Sequence, residues 1–326
     1  MYEGFKTLRM EKCLQDKQFD WAGYHWVIPA VYSRNKELII DFCMQIDVER
    51  IQSFIKKWCL SENTERFHHF YEQLTRERQM QIDLENPFCF EFRPCLELNG
   101  QVFESTQGCS VSFSPYLSDE MSASEETAIE MAEHYRLDKS CGWVIYRWTF
   151  PWERKHSSEI RTLSITMKPQ AVKVPGVHFK VCAKGDSFQF SHPFNGRKYI
   201  LTMKELKQQR MPRSRRRSGR WIFPTHFIEM SYTISPEPME DILVMDSADG
   251  DNVREITAME EENDLAFCDT VIGTDSGPVS IVVEDEVQGN IHVAASALHF
   301  EPFQGDVEWC VVFCIKQADE ESFLLV

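Results

Sequence analysis

The stretch GDSFQFSHPFNGRKYILT (residues 185–202), followed after a basic run by WIFPTHFIEMSYTISP (residues 221–236), decides the fold class. Apolar and polar side chains alternate in both segments, and this period of two is typical of a β-strand with one buried face. The pair Asn195-Gly196 indicates a hairpin, because these residue types adopt the positive φ angles of a tight turn at little cost. Pro193 cannot donate to a ladder and marks an edge or a bulge. The stretch predicts antiparallel sheet.

The second segment also predicts core positions, since four apolar residues share one parity: Ile228, Met230, Tyr232 and Ile234. Working outward, strand patterns flank the polar turn at 34–36 and the pair Asn99-Gly100, and they recur from residue 270 to the end. Each of these turns separates two alternating runs, as in a hairpin. We expect these runs to pair as further antiparallel strands.

Helical spacing of apolar residues appears in the first half of the chain. It begins after Asp47, a residue type that caps helix N-termini, and again from Ser61 to about residue 82. A third helix is predicted at Ser122, which has a glutamate, Glu125, at the spacing of a capping box. The fold class is therefore predicted to be α+β, mainly antiparallel β-sheet with about three helices in the N-terminal half.

Length and local composition predict the domain organisation. At 326 residues the chain suits two domains or one large one. A pattern-poor run before residue 176 places a boundary there, between an α+β domain (1–176) and a β-rich domain (177–326). The second domain is expected to carry a basic loop at 204–220 and an acidic loop at 237–264.

Composition excludes several classes of protein. Hydrophobic residues make up 43% of the chain, which is ample for globular burial. The net charge of -16 argues against nonspecific binding to nucleic acid or to an anionic membrane. The first residues have no signal-peptide pattern, and no apolar stretch approaches the roughly 20 residues that span a bilayer. We expect a cytoplasmic protein with no membrane partner.

Eleven cysteines without a C-x-x-C pair favour reduced, buried thiols over a disulfide scaffold or a zinc site. The closest two, Cys310 and Cys314, would lie on one face of a strand, and we expect them to bind no metal. No cofactor is predicted either, because phosphate-loop and dinucleotide fingerprints are missing from the sequence.

Three histidines in strand-like surroundings are candidate general bases: His192, His226 and His299. A histidine acts as a base when a carboxylate orients it, and Glu229 or Glu301 are the sequence-near possibilities. The alternative is that all three are structural. Nothing in the sequence shows that they converge.

The basic run is a candidate polyanion-binding segment through four arginines: Arg213, Arg215, Arg216 and Arg217. Such a cluster pairs with phosphates. The remainder of the chain is even more negative than the whole and would repel a polyanion, so a solvated loop is the alternative, and nucleic acid is an unlikely partner.

Two further sequence patterns lack residues that their usual functions require. Residues 273–278 (GTDSGP) resemble the nucleophile turn of chymotrypsin-like proteases, but the chain has no upstream segment to supply the base. Residues 246–251 (DSADGD) suggest a calcium loop, but Ala248 and Gly250 stand where oxygen ligands are needed. We expect plain turns at both places.

Several long strings together carry a resemblance: DWAGYHWVIPAVYS, GWVIYRWTFPW, FSHPFNGRKYILT, FPTHFIEMSYTISP and SALHFEPFQGDVEWCVVF. In these the chain resembles, over nearly its whole length, a family of cytoplasmic proteins from anaerobic gut bacteria. The resemblance implies no activity and carries over no site residue. The leading hypothesis is a non-enzymatic binding or interaction protein with a protein or small-molecule partner, because the sequence shows no phosphate loop, dinucleotide fingerprint, metal-ligand spacing or complete nucleophilic triad. The rival is a hydrolase whose histidine-based site assembles only in three dimensions.

Overall fold

The computed structural model describes residues 11–34, 36–60, 70–116, 122–152, 160–212, 217–218, 221–238, 242–248, 250–255 and 291–326. The chain divides into two compact units. Unit 1 comprises Met1–Leu74, Arg78–Val172 and Lys316–Val326, and unit 2 comprises Thr75–Glu77 and Lys173–Ile315. Both units are built mainly of antiparallel β-sheet, as the alternating patterns predicted.

The described residues of unit 1 form two sheets. The first has the order β1-β2-β3-β7-β6, formed by β1 (Glu11–Trp21), β2 (Tyr24–Arg34), β3 (Glu37–Ile46), β6 (Gln107–Phe113) and β7 (Gly142–Pro151). The second has the order β19-β8-β4-β5, formed by β4 (Phe92–Leu98), β5 (Gln101–Glu104), β8 (Leu163–Pro169) and β19 (Glu321–Leu324). One aromatic-rich core draws on both sheets, with Trp26 and Phe42 from the first and Phe92 and Ile165 from the second. Aromatic side chains of this size account for much of the apolar area that a β-rich unit can bury.

The complete helices among the described residues are α1 (Val48–Trp58), α2 (Arg76–Glu85) and α3 (Ala123–His134). Helix α1 begins after Asp47, as predicted, and α3 begins with the predicted capping box, in which the Ser122 hydroxyl and the Glu125 carboxylate bond each other's backbone N–H. Helix α3 packs Ala128 and Met131 on the face of the first sheet that points away from the aromatic core. The helix predicted from Ser61 to residue 82 is not continuous, because the chain leaves helical geometry at 73–75, and residues 61–69 lie outside the described residues.

In the part of unit 2 that the structure describes, the strands form three sheets. The largest has the order β10-β11-β14-β17, formed by β10 (Ser187–Ser191), β11 (Lys198–Arg210), β14 (His226–Ser235) and β17 (His292–Ala295). A second has the order β15-β18-β9, formed by β9 (Ala171–Phe179), β15 (Ile242–Asp246) and β18 (Trp309–Lys316). A small third sheet joins β12 (Arg217–Ser218), β13 (Trp221–Ile222) and β16 (Arg254–Glu255). Three of the four core positions predicted on β14 are buried, while Ile228 is half-buried.

The two Asn-Gly pairs behave differently. Asn99 and Gly100 both have positive φ and connect β4 to β5 directly, so the predicted tight hairpin is confirmed. Strands β10 and β11 also form a hairpin, but the last paired residues are Ser191 and Lys198, so the connection is longer than a two-residue turn. Its loop begins at His192, whose carbonyl accepts a hydrogen bond from the Gly196 N–H at 3.0 Å.

The basic run does not begin in a loop, contrary to the prediction for residues 204–220. Lys204, Lys207 and Arg210 belong to β11, which pairs with β14 as far as Arg210 opposite His226. Lys207 forms an ion pair with Glu205 at 2.7 Å. The segment predicted as an acidic loop likewise contains strands β15 and β16.

Candidate functional site

His192 serves the hairpin loop in which it lies. It is only 4% exposed, its Nδ1 accepts hydrogen bonds from the backbone N–H groups of Phe194 (3.2 Å) and Asn195 (3.4 Å), and its ring packs edge-on against Phe313. A nitrogen that already accepts two backbone donors is not available as a general base. The Nδ1 of His192 therefore serves its own hairpin loop.

His226 and His299 are brought together, but through their backbones. Each N–H donates to the other's carbonyl at 2.8 Å, forming an isolated bridge. Neither predicted glutamate approaches His299, whose Nδ1 instead lies 3.5 Å from the Asp251 carboxylate. Its Nε2 is buried and has no hydrogen-bond partner among the described residues. The Nε2 of His299 is therefore not exposed to a substrate in this structure, and the contact between the two histidines is made by backbone groups.

The pattern at 246–251 has a structural function rather than a calcium-binding one. The Asp246 carboxylate accepts the backbone N–H groups of Ala248 and Ala297, both at 2.9 Å, and Asp251 accepts that of Phe300 at 2.7 Å. These carboxylates therefore fix the segment that follows β17.

The basic run is described only in part. Outside the described residues lie three of the predicted polyanion ligands, Arg213, Arg215 and Arg216, and also the turn at 273–278. Only the backbone of Arg217 is described, in β12.

A different cluster has the geometry of a ligand site. In unit 2 the side chains of Glu77, His178 and Cys310 each point one potential metal-ligand atom into the same space, and these three atoms lie within 4.8 Å of one another. His178 Nε2 is 2.7 Å from Glu77 Oε1. On the other side of the ring, His178 Nδ1 is 3.8 Å from Oε1 of Glu308. A carboxylate oxygen, an imidazole nitrogen and a thiol sulfur form a donor set typical of zinc and related transition metals.

Neighbouring strands position the cluster. Strands β9 and β18 are adjacent in the sheet, and they carry His178 and Cys310 respectively. Gly176 permits their close approach, because a Cβ there would lie 2.9 Å from the carbonyl oxygen of Val311 and 2.7 Å from the Phe313 ring. Glu77 comes from the first turn of α2.

The thiol of this cluster is not an activated nucleophile. Cys310 is 2% exposed, and its thiol donates a hydrogen bond to the Val311 carbonyl at 3.4 Å. Burial together with the charge of the nearby Glu77 carboxylate raises the pKa of Cys310 to about 11. A catalytic cysteine needs a lowered pKa, since the thiolate is the attacking form. Metal binding removes this obstacle, because a divalent cation favours the thiolate directly.

A second polar cluster lies in unit 1, between the first sheet and helix α3. Asp41 and Arg147 are directly opposite on β3 and β7, and they form two hydrogen bonds of 2.7 and 2.6 Å while 0% and 3% exposed. The Tyr135 hydroxyl also donates to Asp41 and lies 3.0 Å from the Tyr32 hydroxyl. Burial and the Asp41 charge raise the pKa of Tyr135. Every charged group in this cluster therefore has a partner.

Unit 1 also has an open cleft of about 560 Å³ beside helix α1. Its two cations already have partners: Lys57 pairs with Glu85 at 2.6 Å, while Arg50 donates to the Gly23 carbonyl and lies over the Tyr24 ring. The cleft therefore does not define a class of ligand.

Sequence reasoning missed Glu77 and His178 and singled out Cys310 only to assign it no metal. No local spacing joins these residues, so the signal lies in the adjacency of β9 and β18.

Among the described residues, no helix is both long and apolar enough to cross a membrane. No protein-family model matches the chain, and no curated protein or solved structure shows significant similarity to it.

Proposed function

We propose that the protein is a binding protein whose second unit holds one divalent transition-metal ion, of the zinc and cobalt class, at Glu77, His178 and Cys310. The observation that carries this proposal is the convergence of three different ligand atoms within 4.8 Å. The proposal replaces the expectation from the sequence that Cys310 binds no metal. The class of function, a binding protein rather than an enzyme, stays the one that the sequence favoured.

The present geometry is close to what a tetrahedral ion requires. Metal–ligand distances of about 2.0–2.3 Å correspond to ligand atoms roughly 3.3–3.8 Å apart. Glu77 and His178 now share a hydrogen bond of 2.7 Å, and an ion would take its place by separating the two atoms. Their side chains are 32% and 37% exposed, so both have room for this adjustment, while the buried Cys310 supplies a fixed anchor.

The chemical type of the three ligand atoms determines which metal ions fit the site. A thiolate and an imidazole are soft or borderline ligands, whereas Mg²⁺ and Ca²⁺ require mainly oxygen. The strand that carries Cys310 is fixed in the sheet, which favours an ion that accepts tetrahedral geometry. Zn²⁺ is the biological ion that meets both conditions, and Co²⁺ is its spectroscopic substitute.

A metal-dependent hydrolase is the second candidate, because three protein ligands leave the fourth position of a tetrahedral ion open for water. In that case His178 acts as a ligand, and His192, His226 and His299 have no catalytic role. The charge of the ligand set favours a binding protein over a hydrolase. Glu77 and a Cys310 thiolate cancel the charge of a divalent ion, so the bound water would be less acidic than on an ion held by three neutral imidazoles.

The test is metal binding by the chelator-stripped full chain. We expect one Zn²⁺ per chain in equilibrium dialysis, and a thiolate-to-cobalt charge-transfer band when Co²⁺ is added. Cys310→Ser should abolish the band and weaken Zn²⁺ binding at least about 100-fold, since one of three ligands is lost. The matched control is Cys314→Ser, which changes the next cysteine on the same strand face and should bind like the wild type.

Two results would contradict the proposal: wild-type protein that binds no Zn²⁺, or Cys310→Ser that binds it as tightly as the wild type. Ester hydrolysis by the zinc-loaded wild type that disappears in Cys310→Ser and persists in Cys314→Ser would favour the hydrolase over the binding protein.

A further inference from the structure

We propose that Glu308 is the positioning residue of this metal site, and that its carboxylate holds the Nδ1–H of His178 so that Nε2 faces the ion. This inference rests on the proposed metal-binding function. It extends the site beyond its three ligands and assigns a role to a carboxylate that does not itself contact the metal.

The two ring nitrogens of His178 face two different carboxylates. Nε2 points to Glu77, which is also within hydrogen-bonding reach of Cys310, so Nε2 is the nitrogen on the ligand side. Nδ1 points to Glu308 at 3.8 Å. When Nε2 binds a metal, the neutral ring carries its proton on Nδ1, and that N–H needs an acceptor. Glu308 is the carboxylate on that side.

The backbone of Glu308 is firmly held, although its side chain is half exposed. Its carbonyl accepts hydrogen bonds from the backbone N–H (2.9 Å) and the hydroxyl (2.6 Å) of Ser247. The next residue, Trp309, is fully buried and begins strand β18, in which Cys310 follows. The backbone of Glu308 is thus held two residues from the ligand Cys310, while its side chain stays able to rotate.

The remaining movement is small. An N–H···O bond has a heavy-atom distance of about 2.9 Å, so the Glu308 carboxylate or the His178 ring must move by roughly 1 Å. Both side chains are partly exposed, at 51% and 37%, and rotate without displacing the core. A carboxylate on Nδ1 fixes the tautomer and the ring orientation and raises the basicity of Nε2, and loss of such a partner typically costs 10–100-fold in metal affinity.

The experiment compares Zn²⁺ affinity and Co²⁺ spectra of four full-length proteins: wild type, Glu308→Ala, Glu308→Asp and Asp306→Ala. Asp306 is an exposed acid two residues earlier, so Asp306→Ala matches the change in net charge without removing the Nδ1 acceptor. We expect Glu308→Ala to bind Zn²⁺ about 10–100-fold more weakly. Glu308→Asp should restore part of this loss, and Asp306→Ala should bind like the wild type.

The cobalt spectrum separates positioning from ligation. At saturating Co²⁺, Glu308→Ala should keep the thiolate charge-transfer band, because Cys310 still binds. Equal affinity in Glu308→Ala and the wild type would overturn the inference. Equal weakening in Glu308→Ala and Asp306→Ala would also overturn it, since the effect would then be general attraction of the cation. Absence of Zn²⁺ binding in the wild type would instead refute the underlying metal-binding function.

Discussion

Two polar clusters among the described residues are each built around a carboxylate, and they differ in how completely their groups are paired. In unit 1, Asp41 accepts hydrogen bonds from Arg147 and Tyr135, and both charges are almost fully buried. In unit 2, Glu77 and His178 share one hydrogen bond and are about one-third exposed. The first cluster is closed, and the second keeps ligand atoms directed at a common point on the surface.

This difference separates a structural use of polar groups from a binding use. A buried ion pair recovers its desolvation cost only when its hydrogen bonds are satisfied, and the closed cluster meets that condition. A site that binds an ion needs ligands that can move apart and that solvent can reach. The cluster of Glu77, His178 and Cys310, called the open cluster below, meets this second condition through Glu77 and His178. Mutations should therefore affect folding at the closed cluster and metal binding at the open one.

The largest expected effect is on the stability of the closed cluster. Asp41→Ala leaves the Arg147 guanidinium buried without its carboxylate, so the free energy of unfolding should fall by about 3–5 kcal/mol. Urea unfolding monitored by tryptophan fluorescence measures this loss. The matched change at the open cluster, Glu77→Ala, should cost less than about 1 kcal/mol because the Glu77–His178 pair is partly exposed. Equal losses would show that the two clusters do not differ in the way proposed.

The next effect concerns metal addition. Zn²⁺ at about 100 times its dissociation constant should raise the free energy of unfolding by about 2.7 kcal/mol, because the ion binds the folded state. At the same Zn²⁺ concentration the gain should fall to about 0.4 kcal/mol or less in Cys310→Ser, whose dissociation constant is expected to be at least about 100-fold higher. It should persist in Tyr135→Phe, which alters only the closed cluster. Thermal melts with and without Zn²⁺ provide the measurement. A zinc effect that survives in full in Cys310→Ser would place the ion elsewhere.

The sequence predicted those parts of the fold that depend on local chemistry. The Asn99-Gly100 turn follows from positive φ at two adjacent residues, and the start of α3 follows from the Ser122 and Glu125 side chains. The hairpin predicted at Asn195-Gly196 forms, but its connection is longer than two residues because the loop begins at His192, whose carbonyl accepts a hydrogen bond from the Gly196 N–H. In each case the decisive interaction spans only a few residues, but in the last one it competes with another local interaction.

The candidate site could not be predicted in this way. Glu77, His178 and Cys310 meet only because β9 lies beside β18 and helix α2 begins nearby, and neither fact has a local signature. The closed cluster did leave a signal in the sequence. Asp41 in LIIDFCM and Arg147 in VIYRWTF are single charges inside apolar strands, and a buried charge requires a partner of opposite sign.

The smallest expected effect uses Cys43 to test how closed the first cluster is. Cys43 lies two residues from Asp41 on the same face of β3, and burial, with the Asp41 charge, raises the pKa of its thiol well above the usual value. In the unfolded chain the thiol releases its proton near pH 8.5. The stabilising contribution is therefore fully present below that pH and is lost as the pH rises toward the folded-state pKa, by about 1.4 kcal/mol per pH unit. Cys43→Ala should flatten the fall of unfolding free energy above pH 8.5 by this amount. Slopes rather than absolute values are compared, because the packing lost with the sulfur does not depend on pH. If Cys43→Ala keeps the wild-type slope, the folded protein accepts a thiolate beside Asp41, and the first cluster is not closed to a second negative charge.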